Sequence, residues 1–203
     1  GEQVESRKLT MNTAKYSFYL MLLLSLPIYV VAEPLLKLWL VNVPPYTLIF
    51  LQLVVLQSLF STIDTCFYTG LYACGKIRTN ALISPLVLSL QFPAIYIAFK
   101  LGSSPVFLSY AGIAVTIILA VIVKPILLIK LAGFSVKDIK SVFIPCAKVC
   151  AAAFVPSLIV ARFLSGNYWQ YALLVIITIA FVLLSVFYIG VEKGQRNEIV
   201  NII

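Results

Sequence analysis

An aspartate, Asp64, stands inside an apolar run, and polar side chains recur around it at helical spacing. Gln57, Ser61, Asp64 and Tyr68 stand at i, i+4, i+7 and i+11, so a helix puts them on one face, while Leu59, Phe60, Ile63, Phe67 and Leu71 take the others. An acid at mid-bilayer costs about 2.5 kcal/mol or more, so this stripe is expected to face other helices or a wet cavity. There the carboxylate can bind a cation, accept a proton or pair with a base; the alternative is a structural hydrogen bond between helices. Lys124 is its basic counterpart, ~9 Å along its own run from Lys130 at 1.5 Å per residue, near the limit of snorkelling. Three arrangements are open to it: an ion pair with Asp64, an inward cavity shared with Asp64, or an interfacial position. Lys148 and Arg162 lie nearer the ends of their run, where snorkelling is the expected arrangement.

The elements that must position these groups follow from composition. The chain has 203 residues, of which 62% are hydrophobic and 11% charged, and a mean hydropathy of +1.07. A soluble domain carries roughly a quarter charged residues. Apolar runs long enough to cross a bilayer as helices recur six times, at about 16–40, 48–73, 81–99, 106–129, 144–164 and 168–191. The expected fold is an all-α polytopic membrane protein, a single six-helix membrane domain over 1–203. The first run is too long for a cleaved signal peptide, and five more follow it. Opening at Gly1 without a leader, the chain is expected to be a piece of a longer protein.

Along the chain, Pro27 and Pro34 are expected to bend the first span, and Glu33 and Lys37 form a candidate ion pair with the acid first. Trp39 and Tyr46 suit an interfacial aromatic belt. Gly112, Thr116 and Ala120 make a small-residue ridge for close helix contact, with Lys124 one turn further on and Pro125 after it. Lys130 to Phe143 reads as a basic loop, in which Ser135 caps a short helix with Val136, Ile139 and Phe143 on its apolar side. Seven prolines within spans suit broken helices around a substrate path, or ordinary tolerance of proline in membrane helices.

Six spans leave both ends on one side. Arg7, Lys8, Lys15, Lys76, Arg78, Lys130, Lys137, Lys140, Lys193 and Arg196 then share that side, against Lys37, Lys100 and Arg162 opposite, which predicts cytoplasmic termini. The net charge of +8 is thereby assigned to membrane topology, and no nucleic-acid partner is expected. Cys66, Cys74, Cys146 and Cys150 lie in apolar segments with no histidine in the chain, so no metal site is expected. Neither a paired carboxylate, a glycine-rich phosphate loop nor a nucleophile elbow is present, so no cofactor is expected and transport is favoured over enzymatic chemistry.

Three stretches carry a family resemblance: Lys15-Tyr-Ser-Phe-Tyr-Leu with Leu26-Pro27, leading to Leu35-Leu-Lys-Leu-Trp-Leu40 and Pro44; Leu71-Tyr-Ala-Cys-Gly-Lys-Ile-Arg78; and Phe99-Lys-Leu-Gly102. Their order and spacing resemble the C-terminal half of polysaccharide flippases of the Wzx type, in the multidrug/oligosaccharidyl-lipid/polysaccharide exporter superfamily. The likeness runs from about Lys8 to Phe134 and continues as hydropathy alone; Val41 stands where the family has glycine. The resemblance implies one lobe of a twelve-helix transporter, with an N-terminal six-helix lobe as its missing partner. It also implies translocation of an undecaprenyl-diphosphate-linked oligosaccharide across the bacterial cytoplasmic membrane by alternating access, with cavity cations on the diphosphate. Lys124 is then the leading substrate-binding candidate, with Lys148 behind it and Asp64, Gln57, Ser61 and Tyr68 as further cavity candidates. The alternatives are a cation-coupled multidrug exporter, a membrane-embedded glycan polymerase or ligase, which would need a large external loop, and a scaffold with a dry interior.

Overall fold

The computed structural model describes residues 2–40, 42–164 and 166–191, and the helices below are all among them. The expected tail from Glu192, with Lys193 and Arg196, lies outside the described residues. Six helical segments are long and apolar enough to span a bilayer: Val4–Val30, Thr47–Ala73, Ile77–Lys100, Phe107–Ala132, Val136–Phe163 and Tyr168–Gly190. The chain is an all-α, multi-pass membrane protein.

Helix α1 (Glu2–Val30) is the centre of the bundle. Met11, Ala14, Phe18, Leu22 and Leu26 recur every three or four residues and are all buried. They pack against Leu59, Ile63, Phe67 and Leu71 of α3 (Thr47–Ala73), and against Val142, Cys146, Val149 and Ala153 of α8 (Val136–Phe163). Lipid tails are as apolar as these side chains, so burial as such gives little; the association rests on fit. One close fit is explicit. A Cβ on Gly70 would lie 2.5 Å from Thr10 Cγ2, and Thr10 is itself tied by its hydroxyl to the Ser6 carbonyl.

The first span differs from expectation at both ends. The residues ahead of the span expected from 16 are already helical from Glu2, and Lys15, expected among the cations on the side of the termini, is buried, 5% accessible. It shares the face of Met11, Phe18 and Leu22, a signal present in the sequence. The span ends at Val30, not Leu40. Pro34 has no N–H for the Val30 carbonyl, and the chain breaks at Val31 before the short α2 (Ala32–Trp39). The expected pair forms there: Lys37 Nζ donates to Glu33 Oε1 at 2.6 Å in the open, and this bond raises the lysine above its ordinary pKa. Trp39 is exposed, as an interfacial anchor should be. Tyr46, with φ of 68°, turns the chain into α3.

Two helices make the third span, α4 (Ile77–Ser89) and α5 (Gln91–Lys100), which begins four residues earlier than expected and kinks at Leu90. Pro93 cannot donate to the Ser89 carbonyl, which accounts for the kink. The fourth comprises α6 (Phe107–Ile117), a wide π-type turn (Ile118–Val123) and α7 (Lys124–Ala132). The basic loop expected from Lys130 to Phe143 shrinks to Gly133–Ser135. Ser135 does cap a helix: its Oγ accepts from the Lys137 N–H, and Asp138 Oδ2 accepts from the Ser135 N–H. That helix is α8 itself, because Ile139, Val142, Cys146, Val149, Ala153 and Ser157 form one unbroken buried face. The last span, α9 (Tyr168–Ser185) with a second π turn (Val186–Gly190), matches expectation closely.

Replacing Gly70 with alanine is expected to overpack the α1–α3 contact by about 1–3 kcal/mol. The loss should appear as a lower unfolding midpoint in detergent, and Thr10→Ala in the same chain should restore most of it. A Gly70→Ala midpoint equal to that of the parent chain would contradict the contact.

Candidate functional site

Lys124 is buried, 3% accessible, with its ammonium turned into the bundle, so the snorkelling arrangement is excluded. Its Nζ donates to Asn80 Oδ1 at 2.8 Å and lies 3.8 Å from Asp64 Oδ1, close enough for an ion pair and too far for a hydrogen bond. The Tyr68 ring supplies a face 5.1 Å from the same nitrogen. Ser84 Oγ, one turn beyond Asn80 on α4, also donates to Asn80 Oδ1 at 2.8 Å. Of the two other expectations for Lys124, the pairing is seen, together with a cleft that the two residues share. Lys124 and Asp64 line this cleft of about 330 Å³ with Thr65, Tyr68, Asn80, Ala81, Ser84 and Pro85.

Local backbone chemistry sets the lysine there. Pro125 has no N–H to return to the Val121 carbonyl, and the preceding turn widens so that the Lys124 N–H reaches back five residues to Leu119. Upstream, the small-residue ridge packs on α3 as expected. Gln57 Nε2 donates to Thr116 Oγ1 at 3.0 Å over Gly112, and Ala120 is wholly buried. The Thr116 hydroxyl passes the chain on to the Gly112 carbonyl.

The polar stripe of α3 therefore divides. Gln57, Asp64 and Tyr68 meet the fourth span or its lysine. Ser61 lies about 60° round the helix from Asp64, exposed in a second cleft of about 370 Å³ shared with Ser17, Met21, Ser58, Thr62, Thr65 and Cys66. The side of α3 bearing Val54, Ser61, Thr65, Tyr68 and Tyr72 is exposed. The hydroxyls of Thr62, Thr65 and Thr69 each bond the carbonyl four residues back, which lowers the cost of low polarity around them. Lys148 is exposed on α8, ~12 Å along that helix from Lys140, and among the described residues no hydrogen bond or ion pair joins it to the cluster.

Asn80 and Ser84 were not singled out from the sequence. Placing the third span's start at Ala81 leaves Asn80 in a loop, whereas it lies in the first turn of α4 and is 3% accessible. The available signal was their i, i+4 spacing at the head of an apolar run. Asp64 Oδ1 is buried and accepts no hydrogen bond among the described residues, so the cluster is charge-paired without being fully bonded.

Compared with known proteins, the chain matches no family model, no curated protein and no solved structure.

A double-mutant cycle over Lys124→Met and Asp64→Leu, read from unfolding midpoints in detergent, should return a coupling of about 0.5–3 kcal/mol. Coupling within error of zero would show that the two charges act independently.

Proposed function

We infer that this chain is one lobe of a membrane transporter that moves a lipid-linked oligosaccharide by alternating access, with Lys124 as the cation facing the substrate's diphosphate. The observation that carries the reading is a lysine buried deep in a bundle and held beside an α3 face that the described residues leave exposed. A dianionic group entering low dielectric needs fixed positive partners. Lys124 is held at one fixed position by Asn80, Asp64 and Tyr68, and its Asp64 contact is long enough to be exchanged for a phosphate oxygen.

The open side of α3 and the sparsely buried third span, of which only 6% lies inside the bundle, suit a second six-helix lobe completing the path. The resemblance of Leu71 to Arg78 and of the Trp39 region to polysaccharide flippases supports the same architecture. Arg7, Lys8, Lys76, Arg78, Lys130, Lys137 and Lys140 cluster at the end of the bundle where α1 begins and α3 and α7 finish. By the positive-inside rule this end faces the cytoplasm of a bacterial inner membrane. A cation-coupled multidrug exporter is the second reading, favoured by Asp64 Oδ1, which is paired with Lys124 yet accepts no hydrogen bond among the described residues and so keeps a lone pair for a proton or a cation.

In cells carrying the full-length protein, Lys124→Gln should lower surface glycan export by about tenfold or more at unchanged protein level, the loss of one charge-assisted contact. Unchanged export would remove Lys124 from the path. A cysteine at Ser61 should react with a water-soluble thiol reagent, since its cleft is expected to be wet; protection from the reagent would favour a dry scaffold.

A further inference from the structure

A second basic site lies well away from Lys124, at the end of the bundle where three helices meet. There the start of α1 and the ends of α3 and α7 enclose a cleft of about 530 Å³ lined by Ser6, Arg7, Lys76 and Gly133, with Ala73, Cys74, Leu131 and Ala132 as its apolar floor. It contains two cations and a hydroxyl, and no acidic side chain among the described lining residues.

Backbone geometry holds the arginine in place. Gly133 ends α7 at φ of +71°, and a Cβ there would stand 2.9 Å from Arg7 Nη2, so the guanidinium occupies the space a side chain would take. The Phe134 ring backs it at 5.8 Å from its central carbon. Lys76 follows a Schellman-type ending of α3, in which the Gly75 N–H bonds Tyr72 and the Lys76 N–H bonds Leu71. The backbone amides are thereby spent, and the unspent donors of the cleft are those of side chains. A flat, pre-placed guanidinium, a free-swinging ammonium and a hydroxyl over an apolar floor form a receptor for a tetrahedral oxyanion attached to an apolar body.

We propose that this cleft binds a phosphate group at the membrane surface, carried by an anionic lipid headgroup or by a soluble phosphate. The site stands independently of the transport reading, since it shares no residue with the Lys124 cluster. Its position at the ends of spans fits the level of lipid phosphates, and basic pockets between membrane helices take such headgroups.

The full chain is reconstituted in nanodiscs of phosphatidylcholine with phosphatidylglycerol, and the phosphatidylglycerol retained on extraction is counted by native mass spectrometry. Inorganic phosphate is titrated in parallel. Arg7→Gln and Lys76→Gln should each weaken retention roughly fivefold, while Lys140→Gln, an exposed lysine at the same end, should leave it unchanged. Lys76 is exposed, so its variant tests the site without threatening the fold. Binding of inorganic phosphate that depends on Arg7 and Lys76, without selective lipid retention, would assign the site to soluble phosphate. Equal losses in all three variants would reduce the effect to general surface charge and overturn the proposal, as would failure of both probes to bind.

Discussion

An ammonium group surrounded by hydrocarbon must find oxygens, and the arrangement of this bundle beside Lys124 follows from that demand. The lysine is buried with its ammonium turned into the bundle, and its oxygen partners come from other helices. Asn80 brings α4 against the fourth span, and Asp64 brings the cleft side of α3 to the same point. The α3 helix and the fourth span also pack directly on each other, whereas α4 touches both only sparsely and is tied to them through this one nitrogen. In a bilayer this is a strong constraint, because apolar packing between helices competes with lipid on nearly equal terms.

Backbone irregularities make that convergence possible. Pro125 widens the turn before Lys124, and Pro93 with Leu90 kinks the neighbouring span. Elsewhere the helices pack by close fit. Gly70 lets α1 approach α3, and Gly190 lies under the Tyr19 ring, whose hydroxyl donates to the Gly190 carbonyl. The tightly fitted half, α1 with α3, α8 and α9, forms the closely packed side of the molecule. The other half, α4 with α5, touches little else among the described residues. The charged cluster sits where these two halves meet, a suitable place for a group that must be both held and reachable.

Much of the fold was legible before any coordinates, and the departures have physical causes. Apolar run lengths located all six spans, because a bilayer thickness sets a minimum helix length whatever the neighbours. Boundaries failed where polar residues continue a helix beyond the hydrocarbon, as in Glu2 to Lys15 and in Val136 to Phe143. There the deciding signal was the three-and-four spacing of Met11, Ala14, Phe18 and of Ile139, Val142, Cys146, which hydropathy averaging obscures. The candidate site was half legible. Asp64, Gln57 and Tyr68 stood out by spacing, whereas Asn80 and Ser84 did not, since a polar residue at the edge of an apolar run reads equally as loop.

What the sequence determined by itself was local and periodic: helical spans, the Glu33–Lys37 pair, the Ser135 cap and the one-sided distribution of cations. Each depends on residues within a turn or two, or on the bilayer acting as a uniform solvent. The tertiary structure decided which buried charges meet. Asp64, Asn80 and Lys124 are separated by as many as 60 positions, and helical periodicity fixes only the face each side chain takes, not the helix it faces. It also decided that Ser61 and Lys148 stand apart from that cluster, because the packing of neighbouring helices, and no property of either residue, sets which sides remain open.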